Sequence, residues 1–150
     1  MSNVSPDLLW EIVRHNNAYL VKRKSGGGVQ FSRDPFNLTN KHSKKYAGFV
    51  SEKAVSVQAG QDGGVSLQTK KKSGSNKPSS HHNTHNYKKT GTNRSTYASV
   101  ANAVGKNSYR SDLNEHAVQR ASALKQSQRP KKDTPARKPR GAKATQTEES

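Results

Sequence analysis

The stretch "AVSVQAGQDGGVSLQT", residues 54–69, decides the fold. In its first half Val55 and Val57 alternate with polar residues, and in its second half Val65 and Leu67 do the same. Alternation with a period of two is typical of a β-strand that buries one face. The glycine-rich run "GQDGG" between the halves is typical of a connection between antiparallel strands. The stretch therefore predicts a β-hairpin with one apolar face and one face in water.

Upstream of this hairpin the sequence predicts a short helix and a second pair of strands. Ser5 is suited to cap a helix, Pro6 to occupy its first position, and the apolar residues of 8–13 recur at helical spacing. The runs "AYLVKR" (18–23) and "VQFS" (29–32) are rich in β-forming residues and flank three consecutive glycines. They are predicted to pair as strands around a glycine turn.

Downstream the sequence predicts two helices. Residues 98–106 contain small and apolar residues that suit a brief helix, and residues 111–128 carry an apolar stripe at helical spacing. Asp112 and Glu115 have the three-residue separation of a capping box, which predicts the start of the second helix. Pro130 is expected to stop it.

Between the hairpin and these helices lies a segment, residues 70–97, that has no aliphatic residue larger than alanine and no carboxylate. Fixing the backbone of about 28 residues costs on the order of 30–50 kcal/mol, and burying two tyrosines returns only about 3 kcal/mol each. The segment is therefore predicted to be either a disordered linker or a strip that becomes ordered on a polyanion. The polyanion is favoured, because residues 63–111 hold nine basic and no acidic residues, and tyrosines can stack on bases.

The predicted fold class is α+β: a small antiparallel β-sheet packed with helices, followed by a basic extended segment, a C-terminal helix and a disordered tail. The chain is divided into a small α+β core (1–69), a basic extended RNA-binding segment (70–97), a helical segment (98–130) and a disordered basic tail (131–150). The tail has the composition of a nuclear-import signal, an RNA-threading arm or solubilising disorder, and these interpretations stay open.

Composition restricts the possible functions. The 150 residues carry a formal charge of +17, which favours nucleic acid, an anionic membrane or an acidic protein as partner. A membrane is disfavoured, since the basic segment lacks an apolar face and no run approaches the eighteen or so apolar residues of a spanning helix. With no cysteine, a soluble intracellular protein is expected. A small-molecule substrate is not expected.

No catalytic, metal or cofactor site is predicted. His81, His82 and His85 lie close together in sequence, but cysteine is absent, no carboxylate is near, and the surrounding lysines would repel a cation. Each candidate carboxylate is explained by a turn or a helix start, and no serine lies in a nucleophile motif. The chain is therefore expected not to be an enzyme.

Several stretches together resemble the eukaryotic large-subunit ribosomal protein family numbered L-twenty-eight. The resembling stretches are "LLWEIVRHNNAYLVKR" (8–23), "DPFNLTNKHSKKYAG" (34–48), "KAVSV" (53–57), "KKKSGSNKP" (70–78) and "YRSDLNEHAVQRASALKQSQRP" (109–130). The resemblance implies a structural constituent of the large (60S) subunit of the cytosolic ribosome that passes through the nucleolus during assembly. It implies large-subunit ribosomal RNA and neighbouring ribosomal proteins as partners.

The alternative is a nucleolar ribosome-biogenesis factor that binds precursor ribosomal RNA, because the same stretches also resemble the amino-terminal part of the factor Mak-sixteen. That factor carries cysteine-rich sequence, and this chain has no cysteine, which favours the ribosomal protein. The run "SVANAVGKNS" (99–108) is less basic than expected of the family, so RNA contact by the helix at 98–106 is left open.

The residues predicted to contact RNA are cations, most of them in loops and strands, together with tyrosines that could stack. They are Arg14, Lys22, Arg23, Lys24, Lys41, Lys44, Lys45, Lys70, Lys71, Lys72, Lys77, Tyr87, Lys88, Lys89, Arg94, Tyr97, Tyr109, Arg110 and Arg120. Because lysine carries little base information, recognition is expected to be mainly of RNA shape and backbone.

Overall fold

The computed structural model describes residues 4–61, 63–71, 73 and 77–135. Two antiparallel sheets lie within this part of the chain, one with the order β1–β2 and one with the order β3–β4–β5. The elements are α1 (Pro6–Val13), β1 (Leu20–Lys22), β2 (Gln30–Ser32), β3 (Val55–Ala59), β4 (Val65–Lys70), β5 (His82–Tyr87), α2 (Asn93–Gly105) and α3 (Asn114–Ser127). The predicted α+β class is confirmed.

The first helix begins as its sequence predicts. The Ser5 hydroxyl accepts a hydrogen bond from the backbone N–H of Leu8 at 3.2 Å, and Pro6 occupies the first turn. Such a cap satisfies one of the donors that a helix start leaves free. Trp10 is buried against Ala47 and Val50, so α1 is held by a small apolar cluster of its own.

The hairpin of β3 and β4 is the centre of the main core, as predicted. Val57 pairs with Leu67, and the side chains of Val55, Val57, Val65 and Leu67 are fully buried. Burying side chains of this size contributes roughly 2 kcal/mol each. The two glycines before β4 have positive φ, a backbone conformation that glycine adopts without steric cost.

The helices lie in layers on the hairpin. Helix α3 packs against β3 and β4, and α2 packs against α3. Fully buried Ala117 and Ala121 let α3 approach its neighbours closely, while Val100 and Val104 of α2 fill the remaining volume. Among the described residues, no helix is long and apolar enough to cross a membrane.

The segment of residues 70–97 contains regular structure that its sequence does not predict. Strand β5 pairs with β4 over six positions, from Val65 opposite Tyr87 to Lys70 opposite His82. The estimate for this segment compared backbone entropy with side-chain burial. It did not count the backbone hydrogen bonds that β4 can form along its open edge. A strand is an extended conformation, but the prediction that this segment has no order without a polyanion is wrong for β5.

Helix α2 also begins earlier than predicted, at Asn93 instead of residue 98. Thr96 is buried on the same helix as Val100 and Val104, and Tyr97 packs against the core. The apolar stripe therefore includes a threonine and a tyrosine, which a search for aliphatic residues alone misses. Whether the chain divides functionally into the four predicted segments stays a prediction.

The predicted capping box at the start of α3 is wrong. A turn of 3₁₀ helix at Ser111–Leu113 precedes α3. The residue in the cap position of α3 is Leu113, and no side chain forms a capping hydrogen bond there. Arg110 binds the Asp112 carboxylate in bidentate fashion instead, with N–O distances of 2.8 and 2.9 Å. The pair of charges competes better for this carboxylate than neutral backbone N–H groups do.

Helix α3 ends at Ser127, three residues before the proline that was predicted to stop it. Residues 131–135 of the predicted tail are exposed and have no regular secondary structure. Residues 136–150 lie outside the described residues.

Candidate nucleic-acid interface

The hairpin of β1 and β2 presents three of the predicted cations. Lys22, Arg23 and Lys24 are all exposed and lead into the glycine turn. The Lys22 ammonium donates to the carbonyl of His15 at 3.1 Å, which ties the hairpin to the end of α1. Three consecutive glycines with positive φ keep the turn narrow, so a ligand could approach these cations closely.

A basic cleft of about 330 Å³ lies beside this hairpin. Its lining residues come from α1, β2 and the following loop, and they are Trp10, Arg14, His15, Gln30, His42, Ser43 and Lys44. The ring centroids of Trp10 and His42 are 5.0 Å apart, and His42 Nε2 lies 2.7 Å from the Arg14 carbonyl oxygen. The fold therefore brings Arg14 and Lys44, which are thirty positions apart in sequence, into one cleft.

The two cations of the basic cleft have carboxylate partners. Arg14 pairs with Glu11 at 3.0 Å, and Lys44 pairs with Asp7. The carboxylates are 61% and 71% exposed, and exposed pairs of this kind contribute only about 0–1 kcal/mol. A phosphate group could replace them at little cost. The loop also presents Lys41 and Lys45 to solvent.

Lys70 is turned into the protein. Its ammonium donates to the carbonyls of Gly48 at 2.6 Å and Ser51 at 3.2 Å, and it lies over the ring of Phe36. Burial lowers the Lys70 pKa below its ordinary value, against an opposing effect of the Asp34 carboxylate. These bonds attach β4 to the loop that supports α1. The Lys70 side chain therefore stabilises the fold.

Arg120 is also directed inward. Its Nε donates to the Val57 carbonyl at 2.8 Å, and its Nη1 donates to the Leu38 carbonyl and the Asn40 side chain at 3.0 and 2.9 Å. Burial lowers the pKa of the guanidinium, which nonetheless stays charged in proteins. Arg120 thus joins α3, β3 and a loop that precedes them.

Arg110 and Tyr109 also donate to backbone carbonyls. Besides its pair with Asp112, Arg110 donates to the carbonyls of Lys45 and Lys53, both at 2.9 Å. The Tyr109 hydroxyl donates to the Lys70 carbonyl at 2.7 Å, and burial raises its pKa above the ordinary value. Neither side chain has its polar end free for a ligand in this arrangement.

The cations around β5 remain on the surface. Lys77, Lys88, Lys89 and Arg94 are exposed, and Lys71 is half-buried. Lys72 lies outside the described residues. The rings of Tyr87 and Tyr97 are half-buried against the main core, so each keeps only part of its surface for stacking.

Lys125 is an important residue that the sequence analysis missed. It lies in α3, is only 5% exposed, and donates to three carbonyls of the turn after β5: Lys88 at 3.2 Å, Lys89 at 3.1 Å and Gly91 at 3.0 Å. Its position four residues after the buried Ala121 was the available signal, because positions four apart share a helix face. Lys125 fixes the backbone from which the exposed lysines extend.

A second depression lies on the face of the larger sheet that is turned away from α3. We name it the amide groove; its volume is about 700 Å³. Its lining residues are Gln58, Ala59, Gly60, Gln61, Gly63, Ser66, Gln68, Thr84, Asn86, Tyr87, Lys88, Lys89 and Thr90. None of these described lining residues is acidic, and the two lysines are the only charged ones among them.

The three histidines of the basic segment do not form a metal site in the structure. The rings of His81 and His82 lie 4.8 Å apart, and the His82 ring lies 4.9 Å from that of Phe36. Within residues 4–61, 63–71, 73 and 77–135, no three histidine, cysteine or acidic side chains are placed to hold a metal ion. Burial lowers the His82 pKa, and the nearby charges of His81 and Lys70 act in the same direction.

Comparison with known proteins gives one consistent family. The sequence profile of the Ribosomal L28e protein family matches residues 8–127. The large ribosomal subunit protein eL28 of Schizosaccharomyces pombe is 41% identical over 134 residues, which cover 87% of this chain and 97% of the relative. The proteins of the same name from Trypanosoma cruzi and Caenorhabditis elegans are 36% and 34% identical, cover 94% and 83% of this chain, and are themselves covered over 90% and 91% of their lengths. The chain therefore belongs to the Ribosomal L28e protein family.

Proposed function

We propose that this protein is a structural constituent of the large ribosomal subunit and that it binds large-subunit ribosomal RNA through its exposed cations. Support comes from the family and from the names of the relatives, which are large ribosomal subunit proteins that match along most of their lengths. The role is architectural, and the protein acts in translation as part of the cytosolic ribosome after passing through the nucleolus for assembly.

The observation that carries the proposal is that the cations fall into two groups, one that donates to backbone carbonyls and one that lies at the surface. Lys70, Arg110, Arg120 and Lys125 donate to backbone carbonyls, where they stabilise the fold. The remaining predicted cations with described positions lie in three regions: the β1–β2 hairpin with the adjoining end of α1, the loop at residues 41–45, and the chain around β5 from Lys71 to the start of α2. Since residues 63–111 contain no carboxylate, the third region has no counter-charge within its own sequence.

The chemistry of the exposed side chains indicates which part of RNA they contact. Lysine ammonium groups are compact donors that bind phosphate oxygens without reading the base. The basic cleft adds an arginine, whose planar group matches a phosphate in bidentate geometry, next to Trp10. We therefore assign the contacts mainly to the RNA backbone, and assign Lys70, Tyr109, Arg110 and Arg120 to support of the fold.

Sedimentation of a cell lysate with and without ribonuclease tests the proposal. A ribosomal constituent is expected to sediment with mature large subunits in near-stoichiometric amount and to be released when the RNA is digested. A biogenesis factor would instead be found only on nucleolar precursors, and an adaptor for an acidic protein would keep its partner after digestion. Either of these two results would overturn the proposal.

A further inference from the structure

We infer that the amide groove binds a short unpaired segment of RNA through its ribose hydroxyls and base edges. This inference rests on the proposed function and deepens it, because the exposed lysines alone would contact only phosphates. It assigns a recognition role to a sheet face that carries almost no charge.

The register of the sheet places the polar side chains of the groove on one face. Gln58 is opposite Ser66 and Ser66 is opposite Asn86, while Gln68 is opposite Thr84. Positions directly opposite one another in antiparallel strands project from the same face. Since neighbouring Val57 and Leu67 are buried on the other side, these five side chains form a continuous patch away from the core.

The patch is made of groups that both donate and accept hydrogen bonds. Within the described part of the chain, the side chains of Ser66, Gln68, Thr84 and Asn86 make no hydrogen bond, whereas Gln58 donates to Ser56 at 3.1 Å. Amides and hydroxyls match the ribose 2′-hydroxyl and the base edges, which also combine donors and acceptors. Lysine is common elsewhere in this chain, which has 27 Lys+Arg, but no lysine interrupts the patch.

The ends of the groove suit a nucleic-acid strand. Lys88 and Lys89 line one end, where they could bind the phosphates that flank the contacted nucleotides. Lys125 holds the backbone of this turn, so the two lysines start from a fixed position. A fixed scaffold reduces the entropy lost on binding.

An unpaired strand fits the groove better than the other possible occupants do. Unpaired RNA exposes its base edges and sugars to a sheet surface, whereas a duplex would mainly place its phosphates along the rim. A protein partner would need apolar or aromatic anchors to supply binding energy. Tyr87 is the one aromatic residue among the described lining residues, and its ring packs against the main core.

Isosteric variants of the full chain test the inference. Gln68→Met and Thr84→Val together remove hydrogen-bonding groups while keeping size and charge, and Gln126→Met is the control on an exposed position of α3. The probes are oligoadenylate and oligouridylate, each as single-stranded RNA and as DNA of the same length, together with a duplex RNA. Folding of each variant is verified by circular dichroism.

The unsubstituted protein is expected to prefer the single-stranded RNA over the matching DNA. The double variant is expected to bind that RNA about tenfold more weakly, as the removal of two net hydrogen bonds would give, and to keep its salt dependence. Equal weakening on RNA and DNA, or no weakening, would overturn the inference. If the unsubstituted protein bound no RNA at all, the proposed function itself would fail, so the two failures are distinguishable.

Cross-linking in assembled large subunits identifies the occupant directly. A photoreactive residue at position 84 is expected to form an adduct with ribosomal RNA, while the same residue at position 126 serves as the control. An adduct at position 84 with a protein alone would show that the groove is a protein-docking site, and would overturn the inference even if the protein sediments with ribosomes.

Discussion

The side-chain amide of Gln128 forms two hydrogen bonds with the backbone of Gly64, 64 residues earlier in the chain. Its Nε2 donates to the Gly64 carbonyl at 2.6 Å, and its Oε1 accepts from the Gly64 N–H at 2.8 Å. Gly64 has a φ of +85°, and a Cβ there would lie 2.1 Å from the Tyr87 carbonyl oxygen. The end of α3 therefore fixes the turn that begins β4 at a point where no other residue fits.

Replacement of Gln128 should weaken the attachment of α3 to the sheet. We expect Gln128→Leu to lower the free energy of unfolding by about 1–3 kcal/mol, because in a partly buried site the Gly64 N–H loses its partner and the Gly64 carbonyl keeps only the Gly60 N–H. Urea denaturation measures this change. Gln126→Leu, on an exposed position of the same helix, is the control and should be nearly neutral; equal effects of the two variants would contradict the interpretation.

Replacement of Lys125 should affect stability more than charge-dependent binding. Lys125→Met leaves three carbonyls of the turn after β5 without their shared donor, and a decrease of about 3 kcal/mol in the free energy of unfolding is expected. Thermal and urea unfolding measure it, with exposed Lys131→Met as the matched control. If both substitutions had the same small effect, Lys125 would be an ordinary surface lysine.

Replacement of Lys88 and Lys89 should weaken RNA binding more than it affects stability. Both side chains are exposed, so Lys88→Gln with Lys89→Gln should leave stability nearly unchanged. The slope of log affinity against log salt concentration for single-stranded RNA should become shallower by about 0.7 for each phosphate that the variant no longer neutralises. Lys106→Gln removes an exposed charge outside the proposed set, and a comparable change in slope for that variant would show that removal of any cation suffices.

The Arg110–Asp112 pair should contribute to the pH dependence of stability. Hydrogen bonding by Arg110 is the main reason that the Asp112 pKa lies below its ordinary value of 3.8. A carboxyl with a lowered pKa stabilises the folded state fully above its unfolded pKa, and this contribution disappears as the pH falls through the lowered, folded-state value. The carboxylate is 43% exposed, so solvent screening limits the effect to less than about 1 kcal/mol.

Asp112→Asn checks this expectation through unfolding curves recorded from pH 7 down to pH 2. The variant should be less stable than the unsubstituted protein near neutral pH, and the difference should vanish in acid. Glu115→Gln is the control, since the Glu115 carboxylate forms no ion pair in the described part of the chain and accepts a hydrogen bond from the Gln119 side chain. A difference that stayed constant down to pH 2 would contradict the assignment.

The parts of the fold that the sequence predicted are those in which local pattern and burial agree. The β3–β4 hairpin has strict alternation and a glycine turn, and α1 has both a serine cap and a proline in its first turn. Strand β5 has neither signal, because "HNTHNY" contains no aliphatic residue and is stabilised by pairing with β4. Its formation depends on a pairing that is distant in sequence, which a local pattern does not contain.

The same limit applies to the candidate site. Composition predicted that cations would contact RNA, yet it could not separate Lys88, which is exposed, from Lys70 and Arg120, which donate to carbonyls inside the protein. That separation depends on which carbonyls the tertiary structure leaves without partners. The amide groove was missed for a related reason: Thr84 and Asn86 extend the polar face of the β3–β4 hairpin only when β5 joins the sheet.

The position of α3 after the sheet in the chain has a consequence for biosynthesis. A ribosome that makes this protein delivers the lysines of the β5 turn well before it delivers Lys125 and Gln128, whose side chains fix that turn and the turn before β4. During that interval the nascent polypeptide carries its cations on backbone that lacks these two anchors. Both turns are therefore expected to reach their final geometry only after the whole of α3 has been synthesised.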